Sequence, residues 1–534
     1  MKLKKAFALV LCAVILFSFT SCESKGGTKK INGESEKIIS DKKAEILYCK
    51  TDSLNPYLLT TKLNRQLSKL LYEPLFKTDN KLSPVKALAK SIDNTDKTVT
   101  VKLINTTFSD GSKLIADDVV YSYNLAKQSN GVYAYQLYEV LSVTAKGNDT
   151  VVFELTVFDP YFANLLDLPI IKKGSDRLTD SDGVAKAPIG CGKYKISDDG
   201  ESLLINDNFY GKIGEIGKIK LINAPDEDAL AHYVEVGAST FYYTDLSDGN
   251  IARMSGKRAD VNLNAFVYIG INERNALLKN KNVRYAISSA INRTEICKSA
   301  YYNNATAATG FFAPWFEDTK SIQSIDSKNN KQITVENLDK IGYNRLDKDG
   351  YYVNSKGSRL SFSLLVNSEN PSRVLAAELI SKQLKDLGIE ITVVKKSFNE
   401  YLSALNSNAF QLYLGEINVL NNMDFSNLCI SGGSAAFGLL SAISAEETDG
   451  KEVSAENETE PAEIIEDTPI KKMIDGYKCG QNSITDIASV LLNEMPQIPI
   501  CYRKGIFFYD SKISNNVISY ASDIYFSIEN TKYE

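Results

Sequence analysis

The sequence predicts an α/β fold. Short runs of alternating apolar residues recur along the chain, and between residues 360 and 414 such runs are separated by helical apolar stripes. Length adds a second constraint. With 534 residues, 43% hydrophobic and 24% charged, the chain exceeds one ordinary core. It therefore calls for two or three domains, or for one discontinuous two-lobed body.

The elements follow in order. Val99, Val101 and Leu103 alternate as a strand, and Phe108-Ser109-Asp110-Gly111-Ser112 has turn chemistry. Asp117 and Asp118 suit the positive end of a helix carrying Val119, Val120 and Tyr123. Leu360, Phe362, Leu364 and Val366 mark a further strand. Asn370 then caps a helix with Pro371 in its first turn, Ala376, Ile380, Leu384 and Leu387 form its stripe, and Gly388 closes it. Ile389, Ile391 and Val393 alternate again. Ser397 and Glu400 form a capping box for a helix over Phe398–Ser407, and Phe410–Leu414 is a third strand. Such a β-α-β-α-β unit makes a parallel sheet with right-handed crossovers, and open sheets of this kind bind ligands outside the carboxyl ends of their strands. Asn367-Ser368 and Gly415-Glu416 are the segments expected to leave such ends.

Composition narrows the chemistry. His232 is the single histidine, so a His-based zinc site, a Ser-His-Asp triad or a Cys-His dyad would each need that one residue. A formal charge of −5 argues against nucleic acid. A binding protein or a carboxylate-based enzyme stays open. The N-terminus reads as an export signal over residues 1–21: Lys2, Lys4 and Lys5 precede the apolar run Ala6–Thr20, which is too short to span a bilayer comfortably. Residues 22–43 are Gly, Ser, Lys and Glu with few apolar side chains, a solvated tether. Ser441–Pro469 carries ten carboxylates and one lysine, and reads as a disordered acidic insert. Cys49, Cys191, Cys297, Cys429, Cys479 and Cys501 contain no C-x-x-C pair, and both disulfides and buried free thiols remain open for them.

Several dispersed motifs carry a resemblance. Phe19-Thr20-Ser21-Cys22 resembles the lipobox of bacterial lipoproteins. Leu54-Asn55-Pro56, Leu71-Tyr72-Glu73-Pro74-Leu75, Phe108-Ser109-Asp110-Gly111 with Ala116-Asp117-Asp118-Val119, and Pro188–Tyr194 follow in order. Val283-Arg284-Tyr285-Ala286 with Ala290-Ile291-Asn292-Arg293, and Glu494–Pro499, complete the set. Together they are similar to the peptide-type solute-binding proteins of ABC importers, solute-binding family 5. The resemblance implies an α/β, two-lobed, periplasmic-binding-protein-like (type II) fold with mixed sheets and a discontinuous first lobe. Lobe I is expected over 44–265 and again over 495–534, and lobe II over 266–494, with Val267–Asn272 as one crossing. It further implies a substrate-binding lipoprotein, acylated at Cys22 and held on the extracytoplasmic face of the cell membrane. Such a protein captures an oligopeptide and hands it to ABC permease and ATPase subunits, without a cofactor and without catalysis. A sensor lipoprotein of the same fold and a carboxylate-based hydrolase are the alternatives. Nickel and haem are disfavoured, since ligation would lean on His232, Met or Cys.

The sequence also departs from the family pattern. Ile115 stands where a capping threonine is usual, so that helix must be capped otherwise. After the third strand, where the family usually holds the ligand's α-amine with an aspartate, the chain has Val419. Glu416 and Asp424 are the carboxylates left in that stretch, so Glu416 is expected to anchor a cationic group, with Asp424 second in line. Trp315, the sole tryptophan, is read either as a cleft aromatic or as a core residue. Asn367, Asn55 and Tyr57 sit at strand ends and are read as cleft-facing or as packing.

Overall fold

The computed structural model describes residues 42–129, 131–249, 255–440, 442–443 and 465–532. The leader, Cys22 with its tether up to residue 41, and most of the acidic stretch lie outside the described residues, while Lys42 and Lys43 at the end of the expected tether already belong to a strand. No described helix is long and apolar enough to cross a membrane.

In chain order the first part contributes β1 (Lys42–Tyr48), α1 (Lys62–Leu71), β2 (Ala89–Thr95) and β3 (Thr98–Leu103). Next come α2 (Ala116–Gln128), β4 (Val140–Ala145), β5 (Thr150–Leu155), β6 (Ile216–Asn223) and β7 (Phe241–Thr244). Strands β2, β3, β5 and β4 form an antiparallel sheet in that spatial order. The alternation of Val99, Val101 and Leu103 buries these side chains beneath α2, against Val119, Tyr123 and Phe153. Helix α2 lacks a side-chain cap at Ile115, and Asp118 in its first turn holds the entering chain instead. One oxygen of its carboxylate accepts the Ile115 N–H at 2.9 Å and the other accepts the Lys173 N–H at 2.9 Å.

The rest follows as β8 (Lys257–Ile271), β9 (Ser361–Asn367), α3 (Pro371–Asp386), β10 (Glu390–Lys396), α4 (Phe398–Asn406) and β11 (Leu412–Asn418). Last are α5 (Pro469–Lys478) and β12 (Gln497–Tyr509). The parallel unit expected from periodicity is present, with β9 between β10 and β11 and parallel to both. Asn370 caps α3 through the Arg373 N–H at 3.0 Å, and Gly388 takes a φ of +80° just beyond its end, where a side chain would be strained. Glu400 accepts the Ser397 N–H at 3.1 Å, completing the capping box of α4.

One large mixed sheet runs β10-β9-β11-β8-β12-β7-β1-β6 and continues into a short hairpin. Its two long strands, β8 and β12, pair antiparallel with each other along both halves of the molecule. Lys257–Asn262 lie opposite Lys504–Tyr509, and Phe266–Gly270 lie opposite Gln497–Tyr502, with a register break between Asn262 and Phe266. The apolar cores divide at this break. Ile46, Ile219 and Val261 are buried with Phe507 and Tyr525 in the first lobe. Val267, Ile269, Leu364, Leu414 and Ile498 are buried together in the second. The first lobe is therefore discontinuous: the chain returns to it along the second half of β12. There Asp523 takes Lys77 at 2.8 Å in a buried ion pair. Val267–Asn272 lies within, or just past, the part of β8 that pairs with β11. All six described cysteines are free; five are buried as small apolar groups and Cys479 is exposed.

Candidate functional site

A cavity of about 230 Å³ opens where the lobes meet. Lobe I lines it from the Thr78–Leu82 turn, from the loop after β7 (Asp245, Ser247) and from Asn262 and Asn264 of β8. Lobe II lines it with Trp315, with Asn418, Val419 and Asn421 at the end of β11, and with Arg503 of β12. Strand geometry accounts for part of this wall. Asn262 and Asn264 are two residues apart and share one face of β8, and both stay half-buried while Leu263 between them and Val261 and Ala265 beside them are buried.

Glu416 does not follow the third strand, as the sequence suggests; it lies inside it. β11 runs on to Asn418 because β8 keeps pairing, with Val267 opposite Glu416 and Ala265 opposite Asn418. A carboxylate in a buried strand needs counter-charges. Arg503 supplies a two-pronged contact, Nη2 to Oε1 at 2.6 Å and Nε to Oε2 at 2.8 Å, and Arg373 of α3 adds a third at 3.2 Å. Burial works against the charge of Glu416, but the two guanidinium groups hold its carboxyl below the usual range. Arg503 Nη1 also donates to the Asp245 carbonyl across the lobe boundary. The cluster braces the strand crossing and leaves Glu416 without an open face for a ligand amine.

Asp424 belongs to a second group, at the seam beside the cavity. Tyr138 donates to Asp424 at 3.2 Å, and Lys478 of α5 lies 3.4 Å from Asp424 and 3.2 Å from Glu139. Asn422 donates to Asp159 at 2.8 Å, Asn427 donates to the Tyr135 hydroxyl at 2.5 Å, and the Phe158 N–H donates to the Lys478 carbonyl at 2.9 Å. Apart from Lys478 to Asp424, which lies within lobe II, each of these contacts joins the 135–161 stretch of lobe I to lobe II. Burial pushes the Asp159 carboxyl up to about 6, with Asn422 and the Tyr161 N–H opposing and the nearby Asp424 reinforcing. Burial would lower the Lys478 ammonium, but Asp424 and Glu139 raise it.

Of the remaining candidates, Trp315 lines the cavity and packs edge-on against Tyr502, 5.5 Å between centroids. Asn55, Tyr57 and Asn367 do not line it. Asn55 accepts the Tyr57 N–H at 3.0 Å, Tyr57 donates to the Pro169 carbonyl and packs on Tyr133, and Asn367 accepts the Glu369 N–H at 3.0 Å. All three hold turns or core. His232 is exposed in the last turn of the helix Glu227–Glu235, and no cluster of three or more metal-ligating side chains occurs among the described residues. Sequence reasoning missed Arg503 and the asparagines. The signal it passed over was Asn-x-Asn at 262–264, two polar amides at strand spacing inside an otherwise apolar run.

Comparison with known proteins agrees with this architecture. The family model described as "Bacterial extracellular solute-binding proteins, family 5 Middle" matches residues 83–437. The oligopeptide-binding protein AppA of Bacillus subtilis (strain 168) is 28% identical over 363 residues, 63% of this chain and 66% of that protein. The glutathione-binding protein GsiB of Escherichia coli (strain K12) is 25% identical over 278 residues, 49% of this chain and 54% of that protein. The chain thus spans about half to two-thirds of the length of these curated relatives. Among solved structures, AppA of Bacillus subtilis in complex with a nonapeptide shares 21% identity and a TM-score of 0.58, covering 93% of this chain and 100% of that one. A nickel ABC transporter structure from Bacillus halodurans shares 19% identity and a TM-score of 0.67, covering 90% and 98%. These structures share the two-lobed type II fold. The chain belongs to family 5 of the bacterial extracellular solute-binding proteins, which are extracytoplasmic binders and not enzymes.

Proposed function

We propose that the protein captures a short oligopeptide between its lobes and delivers it to the permease and ATPase of an ABC importer. The observation that carries this reading is the cavity on the lobe boundary, walled from both sides and bordered by contacts that join the lobes. A site shared by two bodies on paired strands can open and close about that crossing, coupling capture to a change a permease can sense. Lobe boundaries close to Asn264 and Arg503 fit the register break. The relative AppA is named as oligopeptide-binding, which supports the ligand class. We place the protein on the membrane through acylation of Cys22. Mass spectrometry of what the purified protein releases on mild denaturation tests the ligand: short peptides are expected, and a consistent non-peptide solute overturns the reading. Cys22→Ala should leave the protein unlipidated, as read by detergent partitioning; unchanged partitioning refutes the anchor.

A further inference from the structure

We propose that the cavity recognises its solute through uncharged hydrogen bonds. On this view it takes a neutral donor-and-acceptor chain, such as peptide main chain, and does not grip a charged terminus. The inference rests on the solute-binding reading above and refines its ligand.

The cavity wall carries three formally charged side chains, Asp79, Asp245 and Arg503. Two are already neutralised by the protein. Asp245 receives the Lys62 ammonium at 2.9 Å, with the Ser247 N–H at 3.0 Å on the same oxygen. Arg503 is committed to Glu416 through two nitrogens, and Glu416 in turn holds Arg373. The third, Asp79, is committed to its own turn, accepting the Lys81 N–H at 2.8 Å and the Ser83 N–H at 2.9 Å on one oxygen. A ligand ammonium or carboxylate drawn into this cavity would leave water and compete with an existing ionic partner at Asp245 and Arg503, so that only Asp79, held by two backbone N–H groups, would be left to offset the desolvation cost of an ammonium.

The amides tell the opposite story. Five asparagines line the same wall, Asn80, Asn262, Asn264, Asn418 and Asn421. The side chains of Asn80 and Asn418 make no hydrogen bond among the described residues, and the Asn262 amide spends its N–H group on the Asn80 carbonyl at 3.1 Å. Asn264 donates to Asn421 at 2.9 Å, while Asn421 reaches Thr78 and Asp167 only at 3.5 and 3.4 Å. Each primary amide offers two donors and an acceptor, and most of that capacity is unfilled here. Trp315 and Tyr243 add flat aromatic surface to the same wall. The complement of such a wall is a chain of alternating neutral donors and acceptors. Peptide main chain has that chemistry, and so does a polyhydroxyl chain.

The test uses the mature protein and three probe pools: mixed-sequence tetrapeptides with free ends, the same pool N-acetylated and C-amidated, and neutral gluco-oligosaccharides. Titration calorimetry and thermal shift read the response. The expected result is that the blocked peptides bind within about threefold of the free ones. Asn264→Ala and Asn418→Ala should each weaken both peptide pools about tenfold. Glu416→Gln should lower thermal stability while leaving the ratio of free to blocked affinities unchanged. In Lys62→Met, Asp245 loses its cation, and the variant should gain a preference for free over acetylated peptides. A response to free but not blocked peptides overturns the proposal. An Asp79→Asn variant that loses free peptides while keeping acetylated ones would then name Asp79 as the amine anchor. A response to the oligosaccharides alone upholds neutral recognition and overturns the peptide reading. Silence from all three pools, or binding confined to charged solutes, overturns neutral recognition.

Discussion

Two of the places where the lobes meet are built on opposite principles. At the strand crossing, Glu416, Arg503 and Arg373 form a buried charge cluster whose members sit on β11, β12 and α3, all tied to one sheet. At the seam, Asp159, Asn422, Tyr138, Asp424 and Lys478 meet from separate lobes through neutral or partly exposed contacts. The first group can keep its contacts while the lobes move, since the strands that carry it are paired. The second must break whenever they part. Strong, desolvated charge therefore sits where geometry is constant, and weaker polar contacts sit where reversibility is needed.

The largest expected effect breaks the crossing. Arg503→Ala leaves Glu416 buried with Arg373 as its one cationic partner, and should cost about 3–5 kcal/mol in urea unfolding followed by circular dichroism. A loss below about 1 kcal/mol would show that the cluster does not brace the strands.

The next prediction sharpens the contrast through pH. Asp159 sits near 6 with the lobes together, against an ordinary aspartate value close to 4 once exposed. Closing therefore takes up a proton between those values, so closure strengthens as pH falls through 6 and levels off below 4. Ligand affinity should be about tenfold higher at pH 5 than at pH 7. Asp159→Asn should flatten that profile, which calorimetry at several pH values reads directly. A wild-type profile that is flat, or that falls with acid, removes Asp159 from the closing step.

Smaller still is the loss of one seam contact. Lys478→Ala or Tyr138→Phe should weaken binding by about threefold and raise the radius of gyration measured by small-angle scattering, with little change in unfolding free energy. If either variant instead unfolds as readily as Arg503→Ala, the two regions are not different in kind.

How much of this was legible in the sequence depends on range. The β9-α3-β10-α4-β11 unit was readable because its signals are local: alternation, Asn370 before Pro371, Gly388 after the last apolar turn, Glu400 three residues past Ser397. The long strand β12 was not. Gln497–Tyr509 is buried on both faces along nearly its whole length, so it shows no alternation to betray where it leaves one lobe for the other. Glu416 misled for a related reason. A glutamate after Leu412–Leu414 reads as a strand end, and only Arg503, 87 residues away, explains why the strand continues through it. Ile115 shows the reverse: the missing cap was visible, and so, three residues on, was the Asp118 that ties the entering chain down by accepting the Ile115 N–H. The cavity wall was the least legible part, because asparagines from β8 and from the end of β11 become neighbours only through strand pairing.

Trp315 has a practical consequence. It is the one tryptophan in the chain, and it stands on the cavity wall with its ring against Tyr502, whose backbone pairs with Phe266 at the strand crossing. Ultraviolet emission excited at the red edge, where the 29 tyrosines absorb little, thus comes from one spot in the molecule. A solute that displaces water there should shift the colour of that light, and a rearranged crossing should change its polarisation. The protein carries its own optical gauge of occupancy, with no dye attached.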